Sequence, residues 1–303
     1  SNCLWAQSSY TLRTSVSQTT TSLTSPKPIV ENEGPITDVI SKSPLGKQWQ
    51  KGEVFEGRKP EEELTELRTE ISKKFDLGNG RKQIILGGPF HYLDPEGYWQ
   101  DIDINIKEST DKQFPFSNIH NKYTSRFGKI NSDGVEMNYH NKTISFGQNT
   151  SLRAGKWQPA KSNAAEIAIV NDNVLSYNSI FSNIDLEYEV SVSGIYHRLI
   201  FNNPDVFSGL TSQQNIHIEE ELELPTNAVL ADSQGIITTS RQLHGQVYII
   251  VDNDTTFTIS SPHIWDDTYT QNVRGKVGTD ISNNDISVEA SIVFLGQKRI
   301  KYI

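Results

Sequence analysis

Turn-forming residues recur along this chain past Ile106, and the runs between them alternate too regularly for helices. The turns are Asn131-Ser132-Asp133-Gly134, Gly147-Gln148-Asn149, Asn171-Asp172-Asn173, Asn202-Asn203-Pro204-Asp205, Asp232-Ser233-Gln234-Gly235, Asp252-Asn253-Asp254 and Ser282-Asn283-Asn284-Asp285. Leu186, Tyr188, Val190 and Val192 alternate with Glu187, Glu189 and Ser191, and Ile286, Val288, Ala290 and Ile292 repeat that period of two. Val247 to Val251 is a nearly continuous apolar run, as in a central strand. Such a pattern predicts an all-β fold of antiparallel β-sandwich type, two coupled sandwich units behind an extended N-terminal leader.

The best-defined local stretch runs from Phe75 to Ile106. Gly78-Asn79-Gly80 supplies the positive φ that a hairpin needs, and Asp94-Pro95-Glu96-Gly97 has the chemistry of a type I turn. Gln83 to Leu86 and Trp99 to Ile104 read as strands. Ile102, Ile104 and Ile106 fall on one face, with Asp101, Asp103 and Asn105 on the other.

Three segments follow from composition: residues 1–60 as leader, 61–155 as a first β unit and 156–303 as a second. Ser1 to Gln7 suggests the tail of a secretory signal cleaved after Ala6; a lipid-anchored start at Cys3 is the alternative. Residues 8–60 are rich in Ser, Thr, Pro, Gly and Glu and bury too little to fold alone. Adding a strand to an exposed sheet edge is the cheapest way to hold them, with Thr11 to Thr20 as the candidate strand and Trp49 and Phe55 as anchors. Glu61 to Lys74 has helix-like spacing, but 68–77 is read as a strand preceded by a short helical turn. The polar stretch Arg153 to Ala165 is a plausible seam.

With a net charge of −9 and no Lys/Arg cluster, the chain is expected to repel phosphate backbones, so no nucleic-acid partner is expected. No run is long enough to span a bilayer. Cys3 is the only cysteine, so neither an intrachain disulfide nor a cysteine zinc site can form.

Two constellations stand out, each with a plainer reading beside it. Asp252 and Asp254 in a tight turn, like Asp101 and Asp103 on one strand, could chelate Ca²⁺; an Asx-turn and a solvated face are the plainer explanation. Trp265-Asp266-Asp267 after a Ser-Pro step could lay an indole on a sugar face with acids accepting hydroxyl protons; a Trp plugging the sandwich end is the other reading, and Trp99 is read as core. The candidate ligand-binding residues are therefore Trp265, Asp266 and Asp267, and the candidate metal ligands Asp252 and Asp254. The seven histidines lack H-x-x-x-H or H-E-x-x-H spacing, and His91 reads as a strand residue bonded to backbone. Neither a nucleophile elbow nor a phosphate-binding loop occurs, so no catalytic residue is assigned. Glu219-Glu220-Glu221, with Glu223, reads as a solvated edge that discourages wrong pairing.

Three blocks carry a resemblance. The first is Glu66 to Leu77 followed by Gly88-Pro89-Phe90-His91-Tyr92 and Gly97 to Asp103; the second is Phe181 to Val190 with Ser193-Gly194-Ile195; the third is Ser261 to Asp267. In order, over about residues 64–303, they resemble the N-terminal β-rich module of very large secreted bacterial proteins of the wall-associated and Rhs/YD-repeat type. Tyr196-His197 stand where that family usually has Lys-Glu, and Ser182 where it usually has Pro. The resemblance implies a non-catalytic, secreted or cell-surface module for binding or adhesion. Its partner would be a surface glycan, the remainder of a larger polypeptide, or another secreted chain engaged through the leader. The alternatives are a structural cap on a YD-repeat shell or secretion assembly, and an enzyme acting on polysaccharide.

Overall fold

The computed structural model describes residues 4–12, 63–78, 81–154, 156, 158–159, 167–203, 217–260, 263–266, 291–294 and 299–302. Its described elements are strands and two short 3₁₀ turns, and every pairing is antiparallel, as the alternation predicts. No helix among the described residues is long and apolar enough to cross a membrane. The chain divides into two units, residues 103–303 together with 1–15, and residues 16–102.

The larger unit holds two broad sheets. One runs in the order Ile169–Asn171, Val174–Phe181, Ile184–Val190, Gly194–Phe201, Leu4–Leu12, Asp254–Ile259, Val247–Val251, Val229–Asp232 and Gly235–Ile237, with His263–Asp266 also paired to Leu4–Leu12. The other runs Arg241–Gln242, Ser291–Phe294, Arg299–Tyr302, His217–Glu223, Lys142–Arg153, Val135–Tyr139, Thr124–Phe127, Phe116–Asn118 and Lys107–Glu108. One apolar cluster draws on both: Leu175, Tyr177, Leu186 and Tyr188 from the first sheet, and Phe127, Val135, Met137, Ile144 and Phe146 from the second. The period of two explains how. In Ile184–Val190 the buried positions are Ile184, Leu186, Tyr188 and Val190, while Asp185, Glu187 and Glu189 remain partly exposed. Arg198 on the neighbouring strand pairs with Glu187 and Glu189 on that outer face.

Several expectations need correction. Leu4–Leu12 lies inside the sheet, with Gly194–Phe201 on one side and Asp254–Ile259 and His263–Asp266 on the other. The leader strand begins before Thr11 and fills an interior place, joining two edges that would otherwise be open. Cys3, Trp49, Phe55 and the rest of the predicted leader strand lie outside the described residues. Gly147-Gln148-Asn149 is not a turn: it sits within Lys142–Arg153, where the register against His217–Glu223 shifts twice, as at β-bulges. Glu219 to Glu221 are not on an edge, since their strand is paired on both sides, and Glu219 and Glu220 are buried. Val247–Val251 is interior in the sheet but buried on one face only.

The loop between Ile184–Val190 and Gly194–Phe201 is fastened by the other sheet. The Asn121 side-chain amide donates to Ser191 O (2.8 Å), and the Tyr123 hydroxyl lies 2.6 Å from Gly194 O and 2.9 Å from Ser191 O. Tyr123 is fully buried, and burial pushes its phenol well above the ordinary range. Tyr123→Phe should cost about 0.5–1.5 kcal/mol, the net worth of one buried hydrogen bond, since Ser191 O keeps the Asn121 amide and Gly194 O keeps Ser191 N. Urea unfolding measures this directly.

In the smaller unit, Ser72–Gly78 pairs with Arg81–Leu86, and His91–Leu93 pairs with Trp99–Asp101. Gly78 takes φ +74 at the first hairpin, and Asp94 O accepts from Gly97 N (3.0 Å) across the second. The predicted helix-or-strand stretch resolves into a 3₁₀ turn at Thr65–Leu67 and a strand starting at Ser72. The strand predicted over Trp99 to Ile104 stops at Asp101, since Asp103 N donates to His120 O and Ile106 N to Asp172 O instead of continuing one ladder. Trp99 is half-buried rather than core.

Candidate functional site

The densest polar cluster in the described residues lies in the smaller unit. Glu63 forms an isolated bridge with Phe75, which holds its backbone beside the first hairpin. The 3₁₀ turn then returns the chain so that Arg68 faces it. Arg68 Nε donates to Glu63 Oε1 (3.0 Å) and Nη2 to Glu63 Oε2 (2.8 Å), a two-pronged grip that suits the planar guanidinium. The same guanidinium reaches the second hairpin, at Asp101 Oδ2 (2.9 Å) and Trp99 O (3.3 Å). Lys73 donates to Asp101 Oδ1 and lies 3.9 Å from Glu63 Oε2. The hydrogen bond that Arg68 donates to Glu63 raises its guanidinium further above its already high value. Partial burial pushes the Asp101 carboxyl up, but the Lys73 hydrogen bond and the charges of Lys73 and Arg68 outweigh it and leave it below its ordinary value.

His91 closes the cluster from beneath, completely buried. Its Nδ1 lies 2.7 Å from Thr69 O, and a carbonyl can only accept, so Nδ1 carries the proton. Nε2 then points between Glu63 Oε1 and Asp101 Oδ1, 3.5 Å from each, and makes no hydrogen bond. The backbone bond foreseen for His91 is present; the acid pair on its other nitrogen was not foreseen. Glu63, His91 and Asp101 each place one ligand atom within 4.8 Å of the others.

A second buried pair lies between the two large sheets. His197 Nε2 meets Glu220 Oε1 at 3.1 Å, both side chains 4% exposed, and Tyr188 stacks on the imidazole at 4.8 Å between centroids. The ring N–H is turned off the direct line to the oxygen. Neighbouring Glu219 is held by Arg153 (2.8 Å). Elsewhere, Asp232 receives Arg241 Nη2 (2.7 Å), Gln234 N (2.9 Å) and His244 N (3.1 Å). Burial raises its carboxyl, but these donors prevail and set it below 3.8. A carboxyl depressed on folding contributes stability at pH above 3.8 and loses that contribution as pH falls through its folded value. Asp232→Asn should therefore lower stability at pH 7 and flatten the acid limb below pH 3.8 in unfolding titrations.

The structure does not gather the residues singled out from sequence. Asp252 pairs with Lys142 in a turn whose Asp252 and Asn253 adopt φ +54 and +67, and Asp254 opens the next strand. Among the described residues neither belongs to a group of three metal ligands. Asp101 joins the cluster above, whereas Asp103 accepts from Lys107 (2.6 Å) and Asn105 N (3.0 Å). Trp265 and Asp266 lie in a strand opposite Trp5 and Leu4, and Asp267 is outside the described residues.

Comparison with known proteins supplies what these clusters do not. The chain is 26% identical over 213 residues to the tRNA3(Ser)-specific nuclease WapA of Bacillus spizizenii, covering 68% of this chain and 9% of that protein. It is 27% identical over 186 residues to the tRNA(Glu)-specific nuclease WapA of Bacillus subtilis subsp. natto, 59% of this chain and 8% of the other. The tRNA nuclease WapA of Bacillus subtilis aligns over the same length at 27%. The chain thus spans less than a tenth of the curated relatives it matches. No family model and no solved structure matches.

These names correct the functional expectations. The relatives are tRNA nucleases, so the reading as a wall-associated, carbohydrate-binding or adhesive module, neither an enzyme nor a partner of nucleic acid, is overturned, and nothing supports a glycan partner. Only the looser Rhs/YD-repeat likeness stays compatible with them. The charge argument failed for a physical reason: a net charge of −9 describes this chain alone and does not bound the field of proteins more than ten times its aligned span.

Proposed function

We propose that this chain is a β-folded part of a tRNA-cleaving protein of the kind its relatives are named for. The observation that supports this is the alignment over 213 residues, 68% of the chain, rather than over one short motif. Neither buried cluster carries the reading. His91 and His197 are closed to a substrate as large as tRNA, being 0% and 4% exposed.

The test is direct. The polypeptide as its cell makes it is purified and incubated with total bacterial tRNA, beside the 303-residue chain, and products are mapped by primer extension. Cleavage of one tRNA species at one position, with ribosomal RNA intact, is the expected result. Intact tRNA after incubation with the native polypeptide overturns the proposal. A secreted or cell-surface location belongs to the same proposal; detection in the medium or envelope fraction supports it, and detection confined to the cytosol overturns it.

A further inference from the structure

Among its described residues, the smaller unit shows no apolar core. Its described strands form two hairpins, and two-stranded hairpins alone are marginal in water. Among its described residues, only Ser72 and His91 are buried, and both are polar. Ile71, Ile84, Leu86, Leu93 and Tyr98 are all exposed. Small units without an apolar core are commonly held by a disulfide or a metal ion, and a chain with one cysteine cannot form an internal disulfide.

We propose that Glu63, His91 and Asp101 bind a divalent cation of the zinc type, which clamps the two hairpins of this unit together. Four observations converge. His91 is fully buried, its Nδ1 lies 2.7 Å from Thr69 O, and its Nε2 faces two carboxylate oxygens with no hydrogen bond. A cation placed there would meet one ring nitrogen and two carboxylate oxygens. Its separations from Glu63 Oε1 and Asp101 Oδ1 are 3.5 Å each, too long for good hydrogen bonds. Ligands about 2.0–2.2 Å from a tetrahedral zinc lie about 3.3–3.5 Å apart, so an ion fits with little movement of these atoms. Finally, Arg68 holds both oxygens of Glu63 and Asp101 Oδ2, which fixes the orientation of the two carboxylates.

Lys73 occupies the open side, donating to Asp101 Oδ1. Its side chain is 26% exposed, so it can swing into solvent as the ion arrives. One divalent ion and Arg68 then face two carboxylates, and the fourth coordination position is left to water.

The full chain, freed of metal with chelator, is titrated with Zn²⁺ by calorimetry and with Co²⁺ by visible absorption. One equivalent should bind, Co²⁺ should show intense tetrahedral bands, and proteolysis between residues 63 and 102 should slow. His91→Ala and Asp101→Asn should each abolish the bands. Asp101 is 53% exposed, so its variant tests the site even where His91→Ala fails to fold. Arg68→Gln should weaken binding about tenfold, and Lys73→Met should tighten it about tenfold by removing the competing cation. Absence of binding by the parent chain, or bands that persist in Asp101→Asn, overturns the proposal and leaves an ion-pair network closed by Lys73. Both readouts are independent of tRNA cleavage.

Discussion

Gly147→Ala is expected to lower the stability of the larger unit by about 3–5 kcal/mol, the sum of a backbone and a packing cost. Gly147 takes φ +75 within Lys142–Arg153, a region that L side chains avoid. A Cβ there would lie 2.0 Å from Tyr188 Oη and 3.1 Å from Cζ. Tyr188 is not free to retreat: it is fully buried, stacked on His197 and in edge or tilted contact with Phe127, Phe146 and Tyr177. Gly235→Ala separates the two costs, since φ is +109 there but nothing lies within 4 Å of an added Cβ. That variant should lose only about 1–2 kcal/mol. Adding Tyr188→Phe to Gly147→Ala should recover part of the loss by removing the clashing oxygen. Urea unfolding followed by tryptophan fluorescence measures all three; equal losses at Gly147 and Gly235 would show that the close approach carries no energy.

Gly147 also shows where local reading of this sequence ends. A Gly-Gln-Asn triplet has turn chemistry, yet here it lies within a long strand at a register shift, with Tyr188 of the opposite sheet close against the glycine. His140-Asn141 is the converse: both residues take positive φ in a turn that carries neither Gly nor Pro to announce it. Turns with Asp94-Pro95-Glu96-Gly97 or Asp252-Asn253 were legible because the chemistry that makes them is contained within them. Ile184–Val190 was legible for the same reason, its buried face being written as a period of two. The acidic run at Glu219 to Glu221 misled because its compensating partners, Arg153 and His197, come from two other strands. The cluster of Glu63, Arg68, Lys73, His91 and Asp101 is assembled from both hairpins and the turn before them, so no spacing in the sequence marks it. Function was least legible, since neither the charge balance nor the visible motifs pointed toward tRNA, and that direction comes from the relatives alone.

The His197–Glu220 pair should reveal itself through non-additivity. A buried ionisable pair contributes little net stability when whole, but removing one member strands the other in a low-dielectric interior at a cost of about 3–5 kcal/mol. His197→Phe keeps a ring against Tyr188 while deleting the nitrogen that meets Glu220 Oε1, so its cost reports the lost pairing rather than lost stacking. Glu220→Met removes the acid and keeps the volume. The double variant should lie within about 1 kcal/mol of the parent, giving a coupling of about 2 kcal/mol or more in a double-mutant cycle. Additive losses would mean that the two side chains act as separate packing elements. Coupling would mean that the pair, one member on Gly194–Phe201 and the other on His217–Glu223, ties one sheet to the other at a fixed position, which apolar contacts alone do not specify.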